Sequence, residues 1–237
     1  MNEYERKVQE EMVLWRKRVT KKSTMLNRFS KTAQTKINSL IPDKAHQVIT
    51  ESIKKMVQAT LVGSEYTTKP KEVSRLSLEA KEKLVIERLN VYKRTAAVEG
   101  AGTGAGGFLL ALADFPLLLS IKMKFLFEVA SIYGHDSKRY DERLFILYIF
   151  KLAFSSDKYK METLSYIEDW DIKKRELEEV DWRVFQQEYR DYIDFIKMLQ
   201  LIPGIGAVVG AYANYNLLDQ LGETAINCFR LRHFKNS

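Results

Sequence analysis

Two glycine-rich apolar segments lie one hundred residues apart: Gly104-Ala105-Gly106-Gly107-Phe108-Leu109-Leu110-Ala111-Leu112-Ala113-Asp114-Phe115-Pro116-Leu117-Leu118, and Gly204-Ile205-Gly206-Ala207-Val208-Val209-Gly210-Ala211-Tyr212-Ala213-Asn214-Tyr215-Asn216-Leu217-Leu218. Gly104 and Gly204, Gly106 and Gly206, Ala111 and Ala211, Ala113 and Ala213, and the paired Leu117-Leu118 and Leu217-Leu218 coincide, and Asp114 answers Asn214. The repetition predicts one structural device used twice, a helical hairpin with a small-residue first arm. In the first copy Gly100, Gly104, Gly107 and Ala111 follow at spacings of 4, 3 and 4 and share a helix face that lets a neighbour approach closely. Five glycines between residues 100 and 107 are costly at about 1 kcal/mol each relative to alanine, so packing or lipid must offset them. In the second copy Gly204, Gly206 and Gly210 are expected to do the same.

At the bend, Asp114 is expected to cap the second arm and Pro116 to sit in its first turn, where a missing N–H does no harm. Asn214 is expected to cap the copy. The second arm, about 115–133, is apolar nearly all round and closed by Gly134, a natural left-handed C-cap. From Gly100 to Ile121 run 22 residues whose one charge is Asp114, about the length of a spanning segment. An acid and a proline in its middle argue instead for two shorter arms. Such a hairpin serves either as the buried core of a bundle or as a membrane-dipping element.

Outside these segments the apolar period is helical. Glu3 to Arg18 reads as a first helix, and Leu26, Phe29, Ala33, Ile37 and Leu40 mark a second that Pro42 ends. Further helices follow from Asp43, over Leu76–Tyr92, over Asp141–Phe154, over Trp182–Leu201 and toward Phe234, with no confident strand. The expected class is all-α: a single helical domain holding two pseudo-repeated glycine-rich hairpins.

The net charge of +7 is local. Between Met12 and Pro42 stand Arg16, Lys17, Arg18, Lys21, Lys22, Arg28, Lys31 and Lys36 with no acid, leaving 30 basic against 31 acidic residues elsewhere. Interleaved with Trp15, Val19, Leu26 and Phe29, these cations suit either a solvated helix face or contact with anionic lipid, for which Arg16, Lys17, Arg18, Lys21, Lys22 and Arg28 are the candidates. No recognised nucleic-acid motif accompanies them, and no nucleic-acid partner is expected. An opening of Met1-Asn2-Glu3-Tyr4-Glu5-Arg6 without an apolar run predicts no signal peptide, and the single Cys228 forms no internal disulfide and fits a reducing compartment.

Catalytic patterns are sparse. Gly102-Thr103-Gly104-Ala105-Gly106-Gly107 satisfies the dinucleotide fingerprint in letters, but helix precedes it and no βαβ unit surrounds it. No Walker lysine follows. His46, His135 and His233 are scattered without metal-ligand spacing, and Cys228 on an amphipathic helix reads as a core thiol. No catalytic, cofactor or metal residues are expected, and an enzyme acting through Asp114 or Cys228 ranks last.

The run Ala96-Ala97-Val98-Glu99-Gly100-Ala101-Gly102-Thr103-Gly104-Ala105-Gly106-Gly107, then Ala113-Asp114-Phe115-Pro116, then Ala130-Ser131-Ile132-Tyr133-Gly134-His135-Asp136, resembles the core signature of the EcsC family. So does Leu201-Ile202-Pro203-Gly204-Ile205-Gly206-Ala207 with Asn214 and the basic-aromatic C-terminus. The resemblance spans about 44–234 and divides the chain into a basic amphipathic helical region, 1–42, and an EcsC-like helical domain, 43–237, expected to fold with it. It implies a protein associated with an ABC exporter, of undetermined molecular activity, with ABC transporter subunits as partners and a cytoplasmic location at the inner face of the cell membrane. The expected function is a non-enzymatic membrane-associated accessory protein. The alternative is a soluble helical interaction module with a closed core and no membrane contact.

Overall fold

In a computed structural model, the described residues are 1–21, 43–63, 73, 75–104, 113–155, 157–178 and 207–235, with backbone alone described for 43–46, 99–104, 157–158, 176–178 and 207–215. Every regular element among them is an α-helix: α1 (Glu3–Thr20), α2 (Asp43–Val62), α3 (Leu78–Gly104), α4 (Phe115–Tyr133), α5 (Tyr140–Phe154), α6 (Asp157–Glu168), α7 (Trp170–Glu178) and α8 (Ala207–Lys235). The all-α expectation holds for these residues. The helix expected over Leu26–Leu40 and the aromatic helix over Trp182–Leu201 lie outside the described residues.

Helix α1 starts with a capping box. Asn2 Oδ1 accepts from the Glu5 backbone N–H at 2.8 Å, and Glu5 Oε2 accepts from the Asn2 N–H at 2.8 Å. Val8 and Trp15, two turns apart, are the residues that α1 buries. Helix α2 begins at Asp43, directly after Pro42. It ends at Gly63, whose left-handed φ of 78° matches its role as a C-cap.

Helix α4 is the most apolar element and is buried nearly all round, from Phe115 through Tyr133. It packs against α2, α3, α5 and α8. Gly134 closes it with φ 94°, and two backbone bonds, Gly134 N–H to Ser131 O at 3.1 Å and His135 N–H to Ala130 O at 2.9 Å, satisfy its last carbonyls. The long α8 packs along α3 over the most extensive helix pair and also touches α1, α4, α5 and α6. An aromatic cluster joins these layers. Phe229 of α8 stacks on Tyr133 of α4 at 4.9 Å and meets Phe145 of α5 edge-on at 5.4 Å, and Phe145 meets Trp170 at 5.0 Å.

Over their described residues the two glycine-rich segments differ. In the first, α3 runs through Gly100 to Gly104 and α4 begins at Phe115 after a break at Asp114. In the second, α8 runs unbroken from Ala207 past Gly210 and Asn214, so no helix starts at Asn214 for it to cap. Proline explains the difference. Pro116 removes an N–H and crowds the carbonyl four residues earlier, so the helix must begin there, whereas Asn216 at the matching position allows the helix to continue at little cost. Pro116 occupies the first turn of α4 as expected. Asp114 stands at the N-cap but makes no side-chain cap bond, because its φ of −87° and ψ of −4° are helical and a capping side chain needs extended backbone. Gly107, Gly204 and Gly206 lie outside the described residues.

Candidate functional site

The functional geometry gathers where α1 lies on α3, α6 and α8. Tyr4 of α1 donates its hydroxyl to Glu82 Oε2 of α3 at 2.7 Å. Glu82 is buried and also accepts from Arg230 of α8, Nε to Oε1 at 2.8 Å and Nη2 to Oε2 at 2.6 Å, and from the Tyr133 hydroxyl at 3.4 Å. Arg230 reaches Glu11 of α1 as well, at 3.2 Å. This is a bidentate pair with its remaining donors and acceptors engaged, the arrangement that makes a buried ion pair tolerable. Burial and the neighbouring Glu82 raise the Tyr133 and Tyr4 hydroxyls above their ordinary values, so both remain donors.

Further along α1, Arg16 binds Glu168 of α6 through two guanidinium nitrogens, and Arg18 Nη2 binds Glu223 Oε1 of α8 at 2.6 Å. Two of the six cations expected to face lipid thus have carboxylate partners on neighbouring helices, in pairs that lie at the surface. Lys17 and Lys21 make no ion pair among the described residues and are exposed beside Val13 and Leu14, which are 49% and 60% exposed. Residues 14, 17 and 21 follow at helical spacing, so α1 presents an apolar-basic strip on the side away from Val8 and Trp15. Lys22 and Arg28 lie outside the described residues.

Between α1, α3 and α8 opens a cleft of about 500 Å³. Glu11, Trp15 and Arg18 form one wall, Leu89 another, and Asp219, Glu223, Asn227 and Arg230 of α8 the third. A second depression, about 470 Å³, continues over Leu14, Lys17 and Lys21 and shares Glu11 and Arg18 with the first.

A second buried ion pair supports the end of α8. Arg232 clamps Glu142 of α5 at 2.7 and 2.8 Å, and His135 Nδ1 lies 3.4 Å from the same carboxylate. Burial pushes Glu142 up, but the Arg232 and His135 hydrogen bonds and charges together outweigh it and hold the carboxyl at about 2. The Arg232 guanidinium also sits 4.4 Å over the Phe145 ring.

Two buried groups stand apart. Lys122 of α4 is 0% exposed, its Nζ has no hydrogen-bond partner among the described residues, and burial drives its amine down to about 7. Helical periodicity sets it apart from the narrow polar strip of Ser120, Lys124, Glu128 and Ser131 on α4. Cys228 is fully buried and burial pushes its thiol well up, which removes it as a nucleophile. Among the described residues no cluster of three or more His, Cys, Asp or Glu could hold a metal ion, and no helix is long and apolar enough to cross a membrane.

The close helix approach that the glycine pattern promised is seen at a position it did not single out. A Cβ on Gly222 of α8 would stand 2.7 Å from Leu89 Cδ2 of α3. Gly100, Gly104 and Gly210 lie in helical backbone whose surroundings are not described.

Comparison with known proteins gives a consistent result. The chain is 54% identical over 228 residues to Protein EcsC of Bacillus subtilis (strain 168), covering 96% of this chain and 95% of that one. It is 26% identical over 219 residues to the uncharacterized protein YdbA of the same organism, covering 83% and 80%. No solved structure matches the chain. The model of the EcsC protein family matches residues 6–234, and with it the chain belongs to the EcsC family.

Proposed function

We propose that this protein is a non-enzymatic accessory protein working at the inner face of the cell membrane beside an ABC exporter, with α1 and the basic segment after it turned toward anionic lipid. The observation that carries this reading is the α1 strip, where exposed Val13 and Leu14 stand beside Lys17 and Lys21, which have no internal partner among the described residues. Each such lysine near an anionic surface contributes about 1 kcal/mol, and the apolar side chains add their burial. Lys22, Arg28, Lys31 and Lys36 continue the same charge in sequence. The exporter link rests on the family resemblance, and the transporter's own subunits supply any nucleotide chemistry.

Flotation of the full chain with phosphatidylglycerol vesicles at low salt tests the reading. Binding that falls with salt and drops in Lys17→Glu/Lys21→Glu and Leu14→Glu supports it. Absence of flotation at any anionic lipid content removes it.

A second reading, a helical interaction module without lipid contact, is favoured by Val91 and Val98. They lie seven residues apart on one face of α3, both exposed. It predicts a monodisperse chain without detergent that ignores vesicles.

A further inference from the structure

The cleft between α1, α3 and α8 mixes polar groups with the apolar Trp15, Leu89 and Ile226, and its acceptors are incompletely used. Asp219 engages Lys93 through Oδ1 alone, and Glu223 engages Arg18 through Oε1 alone. Among the described residues the second carboxylate oxygen of each accepts nothing. Asn227 is 4% exposed and lines the same cleft. Its Nδ2 donates to the Glu223 carbonyl at 2.9 Å, which fixes the amide orientation and leaves Oδ1 buried with no donor among the described residues. An orphaned buried acceptor of this kind costs about 1–3 kcal/mol until a donor reaches it. With Glu11 included, the lining carries three carboxylates, Glu11, Asp219 and Glu223, each already beside a cation, Arg230, Lys93 and Arg18 respectively, so what the cleft offers is acceptor capacity rather than net charge. A small group with several N–H donors fits it.

The neighbouring depression has the opposite character. It shares Glu11 and Arg18 with the cleft, and Lys17, Lys21 and Leu14 complete it. Acceptors thus adjoin Lys17 and Lys21, which have no ion pair among the described residues and in turn adjoin the exposed Val13 and Leu14. We infer that the cleft receives the primary ammonium of an ethanolamine-type phospholipid headgroup, with the phosphate on Lys17, Arg18 and Lys21 and the lipid beyond it against Val13 and Leu14. The inference rests on the membrane-surface reading above and adds a headgroup to it. A trimethylammonium headgroup carries the same charge but no N–H, so it leaves Asn227 Oδ1 unsatisfied. A lysine side chain from a partner protein would fill the cleft but would make no use of the adjoining cations.

The test compares vesicles of equal phosphatidylglycerol content in which the remaining lipid is phosphatidylcholine or phosphatidylethanolamine. The expected result is a partition coefficient higher by roughly tenfold with phosphatidylethanolamine, the size of one charge-assisted hydrogen bond. Asn227→Leu and Asp219→Asn are expected to lose this gain while still binding the phosphatidylcholine vesicles, with an unchanged circular dichroism spectrum and thermal midpoint showing that they remain folded. Asn227→Asp, which keeps an acceptor, is expected to retain it. Glycerophosphoethanolamine and glycerophosphocholine, titrated and followed by NMR, form a soluble arm in which the former binds and the latter does not. Equal binding to both vesicle types overturns the headgroup assignment and leaves the membrane-surface reading standing. Binding of glycerophosphoethanolamine without any gain on vesicles assigns the cleft to a free amine and overturns the lipid source. Failure to bind any vesicle overturns both readings together.

Discussion

Arg230 on α8 holds Glu82 on α3 through two hydrogen bonds, at 2.8 and 2.6 Å, across 148 residues of sequence. Both side chains are buried, and Tyr4, Tyr133 and Glu11 complete the cluster. Removing one partner strands the other charge in the interior. Arg230→Met or Glu82→Leu alone is expected to cost about 3–5 kcal/mol, and the double variant to recover much of that loss. Urea unfolding of the four species forms a double-mutant cycle, and purely additive losses would contradict the pairing.

Lys122 raises the opposite expectation, since its buried amine has no hydrogen-bond partner to lose among the described residues. Its ordinary value is 10.5 and its folded value about 7, so between these the unfolded chain holds a proton that the folded chain does not. Stability therefore rises with pH across that window. Lys122→Met is expected to stabilise the fold by about 2 kcal/mol at neutral pH and to flatten this rise. Denaturant midpoints at neutral pH and near the top of the window check both statements. A destabilised variant would mean that the amine has a role that its surroundings do not show.

On the acid side the expectation reverses. Glu142 is held at about 2 in the fold against an ordinary 4.5, so its contribution is complete above the unfolded value and is lost as pH falls through the folded one. Thermal unfolding followed from neutral pH downward should show a stability loss that begins below about pH 5. Glu142→Gln is expected to be less stable at neutral pH and to show a shallower acid limb.

Gly222 is a contact position. Leu89 Cδ2 occupies the space 2.7 Å from where a Cβ would stand, but that atom ends a flexible side chain. Gly222→Ala should fall within about 1 kcal/mol of the parent, because the helix-propensity gain offsets a shifted Leu89 rotamer. Gly222→Val has no such room and is expected to cost roughly 2 kcal/mol. Equal stability of the two variants would show that α3 and α8 part easily.

Asn216→Pro tests why the two glycine-rich segments diverge. It places in α8 the residue that breaks the chain before α4, and it should cost about 3 kcal/mol or more with a loss of helical circular dichroism. An unchanged helix content would mean that something other than Pro116 sets the start of α4.

What could be read in the residues alone was the local part. The apolar period over Leu144–Phe154, the first-turn Pro116, the left-handed Gly134 and the charge gathered between Arg16 and Lys36 depend on neighbours within a turn or two, where backbone sterics and helical spacing act directly. The same local signals misled at Asn214, because a shared composition does not carry the proline that ends a helix. Only the tertiary structure decided which charges meet. Arg16 and Arg18 looked alike to Lys17 and Lys21 in sequence, yet Glu168 and Glu223 take the first two, and Glu82 finds Arg230 from another helix. It likewise decided that Lys122 lies in the interior and that Gly222 marks a close approach between α3 and α8. The physical reason is range: periodicity and caps are set within a single helix, whereas ion pairing, burial and close contact depend on how separate helices dock, and no spacing along the chain encodes that distance.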